Sequence, residues 1–100
     1  MKKATGKVIK ALRKHFDYTQ EEIAKSINIT LTTMANIENG RAGIDIEKLD
    51  RLAKLYNIDI GLILQLAQEV IAEKDDAWLA NALRYLKMSP RAEEIEDQYS

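Results

Sequence analysis

Apolar residues recur along this chain at steps of three and four, and no stretch alternates convincingly as a strand. The pattern therefore predicts helices throughout. Val8, Ile9, Leu12 and Phe16 form one stripe and predict a first helix from about Thr5 to Phe16. A second helix opens at Thr19, with Glu22 three residues later completing a capping box. Its inward residues are Ile23, Ala24 and Ile27. Asn28 ends it, since asparagine tolerates a left-handed backbone better than most residues. A third helix is predicted from a Thr30 cap to Asn39, just before Gly40, with Met34, Ile37 and either Leu31 or Ala35 inward.

Asp45 is the cap expected for a fourth helix, with Ile44 and Leu49 spaced as a hydrophobic staple. Leu49, Leu52, Ala53 and Leu55 or Tyr56 continue its stripe. Asp59 repeats the device with Ile58 and Ile63, opening a longer helix that carries Leu62, Leu66, Ala67, Val70 and Ile71 to about Glu73. A further helix is predicted after Asp75 or Asp76, with Trp78, Leu79, Ala82, Leu83 and Leu86 on one side, and Ser89–Pro90 stops it. The last ten residues carry four acids against one arginine and read as a frayed helix or an acidic tail.

Composition narrows this all-α reading. One hundred residues suit a single domain with an appended arm, and one proline and four glycines fit a compact helical chain. With no cysteine, a disulfide framework and a thiolate zinc site are both ruled out. Neither a signal peptide nor a membrane-spanning run can be read, so the expectation is a soluble, cytoplasmic protein.

The net charge of −1 hides an asymmetry. Residues 1–58 hold eleven Lys/Arg and seven Asp/Glu, whereas residues 59–100 hold four and nine. The halves therefore carry +4 and −5, and Lys2, Lys3, Lys7, Lys10, Arg13 and Lys14 all precede the first acid, Asp17. Such a split suits either an N-terminal half that meets an anion or a solvated basic helix face.

Residues 19–39 give this charge a context. A short capped helix, the turn Asn28–Ile29–Thr30 and a second helix have the length and spacing of a helix-turn-helix. Such a unit props one helix outward from a small core, where its exposed side chains can enter a DNA major groove. The segment "YTQEEIAKSINITLTTMANIENGRAGIDIEKLDRLAKLYNI" resembles the lambda-repressor/Cro-like (Xre) helix-turn-helix family, most specifically at "TQEEIA", "IENG" and "L..LAK.YNI". The resemblance covers about residues 6–66.

That resemblance implies a five-helix lambda-repressor-like DNA-binding domain over residues 1–66, with one or two additional C-terminal helices. It places Thr30, Leu31, Thr32 and Asn36 toward the bases. Gln20, Thr19, Asn39 and Arg41, with Thr33 at the margin, fall to the phosphates, Gln20 also bracing the recognition helix, and Arg13 and Glu38 fall to a buried salt bridge. The chemistry agrees in part. Asparagine pairs bidentately with an adenine edge, threonine hydroxyls bond either base type, and leucine or threonine methyls suit the thymine methyl. Arg41 and the basic first helix can neutralise phosphates. Relatives often carry Arg, Lys or Gln where Leu31 and Thr32 stand, which points here to A·T-leaning or shape-assisted recognition.

Little else in the chain suggests chemistry. His15 is the single histidine and reads as a surface or phosphate-side residue, so no metal site is expected. Adjacent acids such as Glu21–Glu22 point about 100° apart on a helix and suit caps or solvated faces rather than an acid–base pair. Neither a phosphate loop nor a nucleophile elbow is present; an enzyme is not expected, and no cofactor site can be read.

Residues 67–90 still need an explanation, because Val70, Trp78, Leu79, Leu83 and Leu86 extend past the family core. They either fold back on the same domain, form a homodimer contact, or dock another protein, with residues 91–100 as an acidic tail. The homodimer is the favoured expectation. The functional expectation is a DNA-binding transcriptional regulator, a repressor on a palindromic operator in double-stranded DNA. The alternative is a protein-interaction module such as an antitoxin.

Overall fold

The computed structural model describes residues 1–72 together with Ala82 and Leu83. Five helices follow one another: α1 (Lys2–His15), α2 (Gln20–Ser26), α3 (Leu31–Glu38), α4 (Ile46–Leu55) and α5 (Ile60–Ala72). No strand occurs among the described residues. The architecture is all-α. Helix α1 lies against both α3 and α5, α2 against α3 and α4, and α4 against α5.

Local chemistry sets the helix starts. Thr19 Oγ1 accepts from the Glu22 backbone at 3.1 Å while Glu22 Oε1 accepts from the Thr19 backbone at 2.9 Å, which closes the capping box. Thr30 Oγ1 accepts from the Thr33 backbone at 3.0 Å and Asp45 Oδ1 from that of Lys48 at 2.9 Å. Asp59 Oδ1 accepts from Gly61 at 2.7 Å. The bond from Lys48 holds the exposed Asp45 carboxyl below its ordinary pKa.

The helix stops share a second device. Asp17, Asn28, Gly40 and Asn57, each just past a helix end, have φ of 63°, 60°, 76° and 55°. After each, the next backbone N–H reaches back to close the last turn: Tyr18 to Arg13 O, Ile29 to Ala24 O, Arg41 to Asn36 O and Ile58 to Ala53 O, all at 2.9–3.0 Å. These are Schellman closures, and they satisfy carbonyls that would otherwise be orphaned. In three of them the residue reaching back (Tyr18, Ile29 or Ile58) is apolar or aromatic and packs on the core. After α3 it is Arg41, which is exposed.

Apolar stripes from all five helices meet in one core. Val8, Ile9, Leu12, Ile23, Ile27, Met34, Leu52 and Ile63 are fully enclosed. Phe16 stacks on Tyr56 with ring centroids 4.4 Å apart, and burial pushes the Tyr56 phenol well above its ordinary pKa. Gly6 brings α1 unusually close to α3. A Cβ there would overlap the Ile37 carbonyl oxygen and lie 2.9 Å from that of Glu38.

Several expectations change. Helix α1 starts at Lys2 rather than about Thr5, because Ala4 and Gly6 are already buried in its first turns. Leu31, a candidate inward residue, is 51% exposed. His15 is not a surface residue: it is half-buried, its ring is edge-on to Phe16 at 4.9 Å, and its Nε2 is enclosed without a hydrogen-bond partner among the described residues. Val70 and Leu83, candidates for a dimer or partner surface, are buried in the chain's own core, 7% and 2% exposed. Trp78, Leu79, Leu86 and the tail lie outside the described residues.

Candidate nucleic-acid interface

Helix α3 divides cleanly between inside and outside. Met34, Ile37 and Glu38 are buried, whereas Leu31, Thr32 and Thr33 are exposed and Asn36 is half-buried. Eight residues make only about two turns. So short a helix depends on its caps and its buried side for stability, and its outward residues are free for other work.

The Thr30 hydroxyl is committed to the cap. It accepts from the Thr33 backbone and donates to Thr33 Oγ1 at 2.9 Å. Leu31, Thr32 and Asn36 are not so engaged: no side-chain hydrogen bond engages Thr32 or the Asn36 amide among the described residues. The Asn36 carbonyl instead accepts from Arg41 at 2.9 Å and Ala42 at 3.2 Å, fixing the loop after the helix. Asn39 and Arg41 are exposed on that loop.

Beneath this face lies a buried polar cluster joining three helices. Arg13 Nε donates to Glu38 Oε2 at 2.7 Å and Nη2 to Glu38 Oε1 at 3.1 Å, a two-point ion pair with side chains 11% and 1% exposed. Arg13 Nη1 also donates to the Tyr18 carbonyl at 2.9 Å, and Gln20 Nε2 donates to Glu38 Oε1 at 2.9 Å. The carboxylate thus accepts three hydrogen bonds and faces a full positive charge, which offsets the cost of burying it. Gln20, expected both toward phosphate and as a brace for the outward helix, is tied through its amide nitrogen to the C-terminal end of that helix. Thr19 holds the adjacent cap, with its hydroxyl and backbone N–H both engaged by Glu22.

The resemblance implied that Gln20 braces the outward helix, but not that Glu38 is the acceptor. Gly6 was a missed signal: a glycine inside a helix costs about 1 kcal/mol relative to alanine and often marks a close approach. Among the described residues, no group of His, Cys, Asp and Glu is placed to hold a metal ion.

Comparison with known proteins fits this geometry. A family model described as a helix-turn-helix domain matches residues 6–69. The chain is 34% identical over 71 residues to the ImmF control region 10 kDa protein of Bacillus phage phi105, a match covering 71% of this chain and 79% of that protein. It is 31% identical over 65 residues to the competence pilus inhibition repressor of Acinetobacter baylyi, covering 65% of this chain and 59% of the relative. It is also 36% identical over 53 residues to antitoxin PezA of Streptococcus pneumoniae, covering 53% of this chain and 34% of the relative.

Proposed function

The chain belongs to the lambda-repressor/Cro-like (Xre) family of helix-turn-helix regulators, and on that premise we propose that it is a sequence-specific DNA-binding repressor whose homodimer occupies a palindromic operator. The observation that carries this reading is the division of α3: a buried side anchored through Met34, Ile37 and Glu38, and an outward side of Leu31, Thr32 and Asn36 that the fold does not use. Inserted in a major groove, Asn36 pairs with an adenine edge while Leu31 and Thr32 meet thymine methyls. Gln20, Thr19, Thr33, Asn39 and Arg41 hold phosphates together with the basic first helix, and Thr30 contributes to the bases through its free lone pair and methyl.

Two copies reading half-sites one helical turn apart account for the palindrome. In this reading Trp78, Leu79 and Leu86 carry the dimer contact, whereas Val70 and Leu83 are buried in the chain's own core. The protein acts in the cytoplasm, where its DNA is.

Selection from a pool of random duplex DNA at two salt concentrations tests the reading. The expected result is a palindromic, A·T-leaning motif whose affinity falls steeply with salt. Weak, sequence-indifferent binding that survives only at low salt would overturn it.

The identity to a protein named as an antitoxin supports a second reading, a module whose C-terminal helices bind and block a partner protein. Alanine at Thr32 and Asn36 abolishes regulation under the first reading and spares partner binding under the second. Substitution of Trp78 does the reverse.

A further inference from the structure

The start of α1 rests on the loop that follows α3. A Cβ on Gly40 would lie 2.7 Å from Lys3 Cγ and 2.9 Å from Lys3 Cα, and one on Gly43 would meet Lys2 Cε at 3.8 Å. Gly40 is the left-handed residue that ends α3, so the residue that stops the helix also makes room for Lys3. The next residue is Arg41, its backbone tied to the Asn36 carbonyl at 2.9 Å. Lys2, Lys3 and Arg41 therefore gather at one end of α3.

Their charges are uncompensated. All three residues are exposed, the first turn of α1 contains no acid, and none of the three forms an ion pair among the described residues. Helix α4 is the contrast: Lys48 pairs with Asp45 at 3.2 Å, Arg51 with Glu47 at 3.6 Å and Lys54 with Asp50 at 2.9 Å. Each cation of α4 is matched by an acid one turn away, which leaves that helix little net attraction for an anion. The Lys3 stem already lies against the Gly40 backbone, so ordering it on a ligand costs less than ordering a free lysine.

We propose that Lys2 and Lys3 form a phosphate clamp with Arg41, gripping the DNA backbone beside the C-terminal end of α3. The inference rests on the DNA-binding reading and narrows the contribution of the basic first helix to its first turn. At 1.5 Å per residue, Lys10 and Lys14 stand roughly 10–18 Å further along the axis, away from the Arg41 loop.

The full chain with K2Q/K3Q is titrated against the selected operator and a random-sequence duplex over a range of salt concentrations. Each lost phosphate contact lowers the slope of log affinity against log salt by about 0.9, so the double variant loses about 2 from the slope. It weakens both duplexes by the same factor and leaves the preferred sequence unchanged. R51Q/K54Q removes the same charge from α4 and leaves the slope as it is. An unchanged slope in K2Q/K3Q, an equal drop in R51Q/K54Q, or a drop produced by K10Q/K14Q alone overturns the clamp while the regulator reading stands. Failure of the unsubstituted protein to bind either duplex overturns both.

Discussion

Gln20 Nε2 and Glu38 Oε1 lie 2.9 Å apart, joining the first residue of α2 to the last of α3. The same oxygen accepts from Arg13 at 3.1 Å, so one buried carboxylate sets the spacing of α1, α2 and α3. The start of α2 is thereby mechanically continuous with the end of α3.

Removing that carboxylate should be costly. Glu38→Ala leaves Arg13 without its counter-charge and Gln20 without its acceptor, and losing one partner of a buried pair costs about 3–5 kcal/mol. The remaining 11% exposure of Arg13 favours the lower end, about 3 kcal/mol. Urea unfolding of the two proteins measures it; a loss under about 1 kcal/mol would show that solvent already satisfies Arg13.

Gly6→Ala sets two effects against each other. Alanine gains about 1 kcal/mol in helix propensity. Its Cβ, however, meets the Ile37 and Glu38 carbonyl oxygens, which are backbone and cannot swing aside. Forcing α1 from α3 costs about 1–3 kcal/mol or more. Net destabilisation is expected, with weaker DNA binding because the outward helix shifts; a raised melting temperature would refute the close approach.

At Asn36 the readout is specificity. Asn36→Ala should leave the fold nearly unchanged, since the side-chain amide has no intramolecular partner among the described residues. It should relax the preferred base at one position in each half-site by about 1–3 kcal/mol. Repeating the selection with the variant checks this, and recovery of an identical motif would remove Asn36 from base readout.

Leu83→Ala probes where the C-terminal segment packs. A leucine 2% exposed in the chain's own core should cost about 2–5 kcal/mol when truncated. The loss should be the same at every protein concentration, because the contact is within one chain. A destabilisation that grows on dilution would instead place Leu83 between two chains.

Most helix boundaries were legible because single side chains carry them. The Thr19–Glu22 box, the Thr30, Asp45 and Asp59 caps and the Asn28 turn are local devices whose chemistry is complete within a few residues. Other features depend on neighbours distant in sequence. The left-handed turns at Asp17 and Asn57 use residues common on any surface, and their role shows only when Tyr18 and Ile58 fold back onto the core. The early start of α1 likewise depends on burial of Ala4 and Gly6. At the candidate interface, the outward face of α3 follows from its 3.6-residue period, whereas the Gln20–Glu38 bond spans 18 residues and leaves no local trace. The partition of residues 67–90 was open for the same reason: an apolar stripe states that it needs cover, not which chain supplies it.

Helix α3 keeps its stabilising contacts on one side and its exposed Leu31 and Thr32 on the other. The two sets can therefore vary independently. Under the proposed base readout, a substitution at Leu31 or Thr32 tests a new operator without first having to survive a folding defect, so a lineage of such proteins can diverge in the genes it addresses while its thermal tolerance stays where it was.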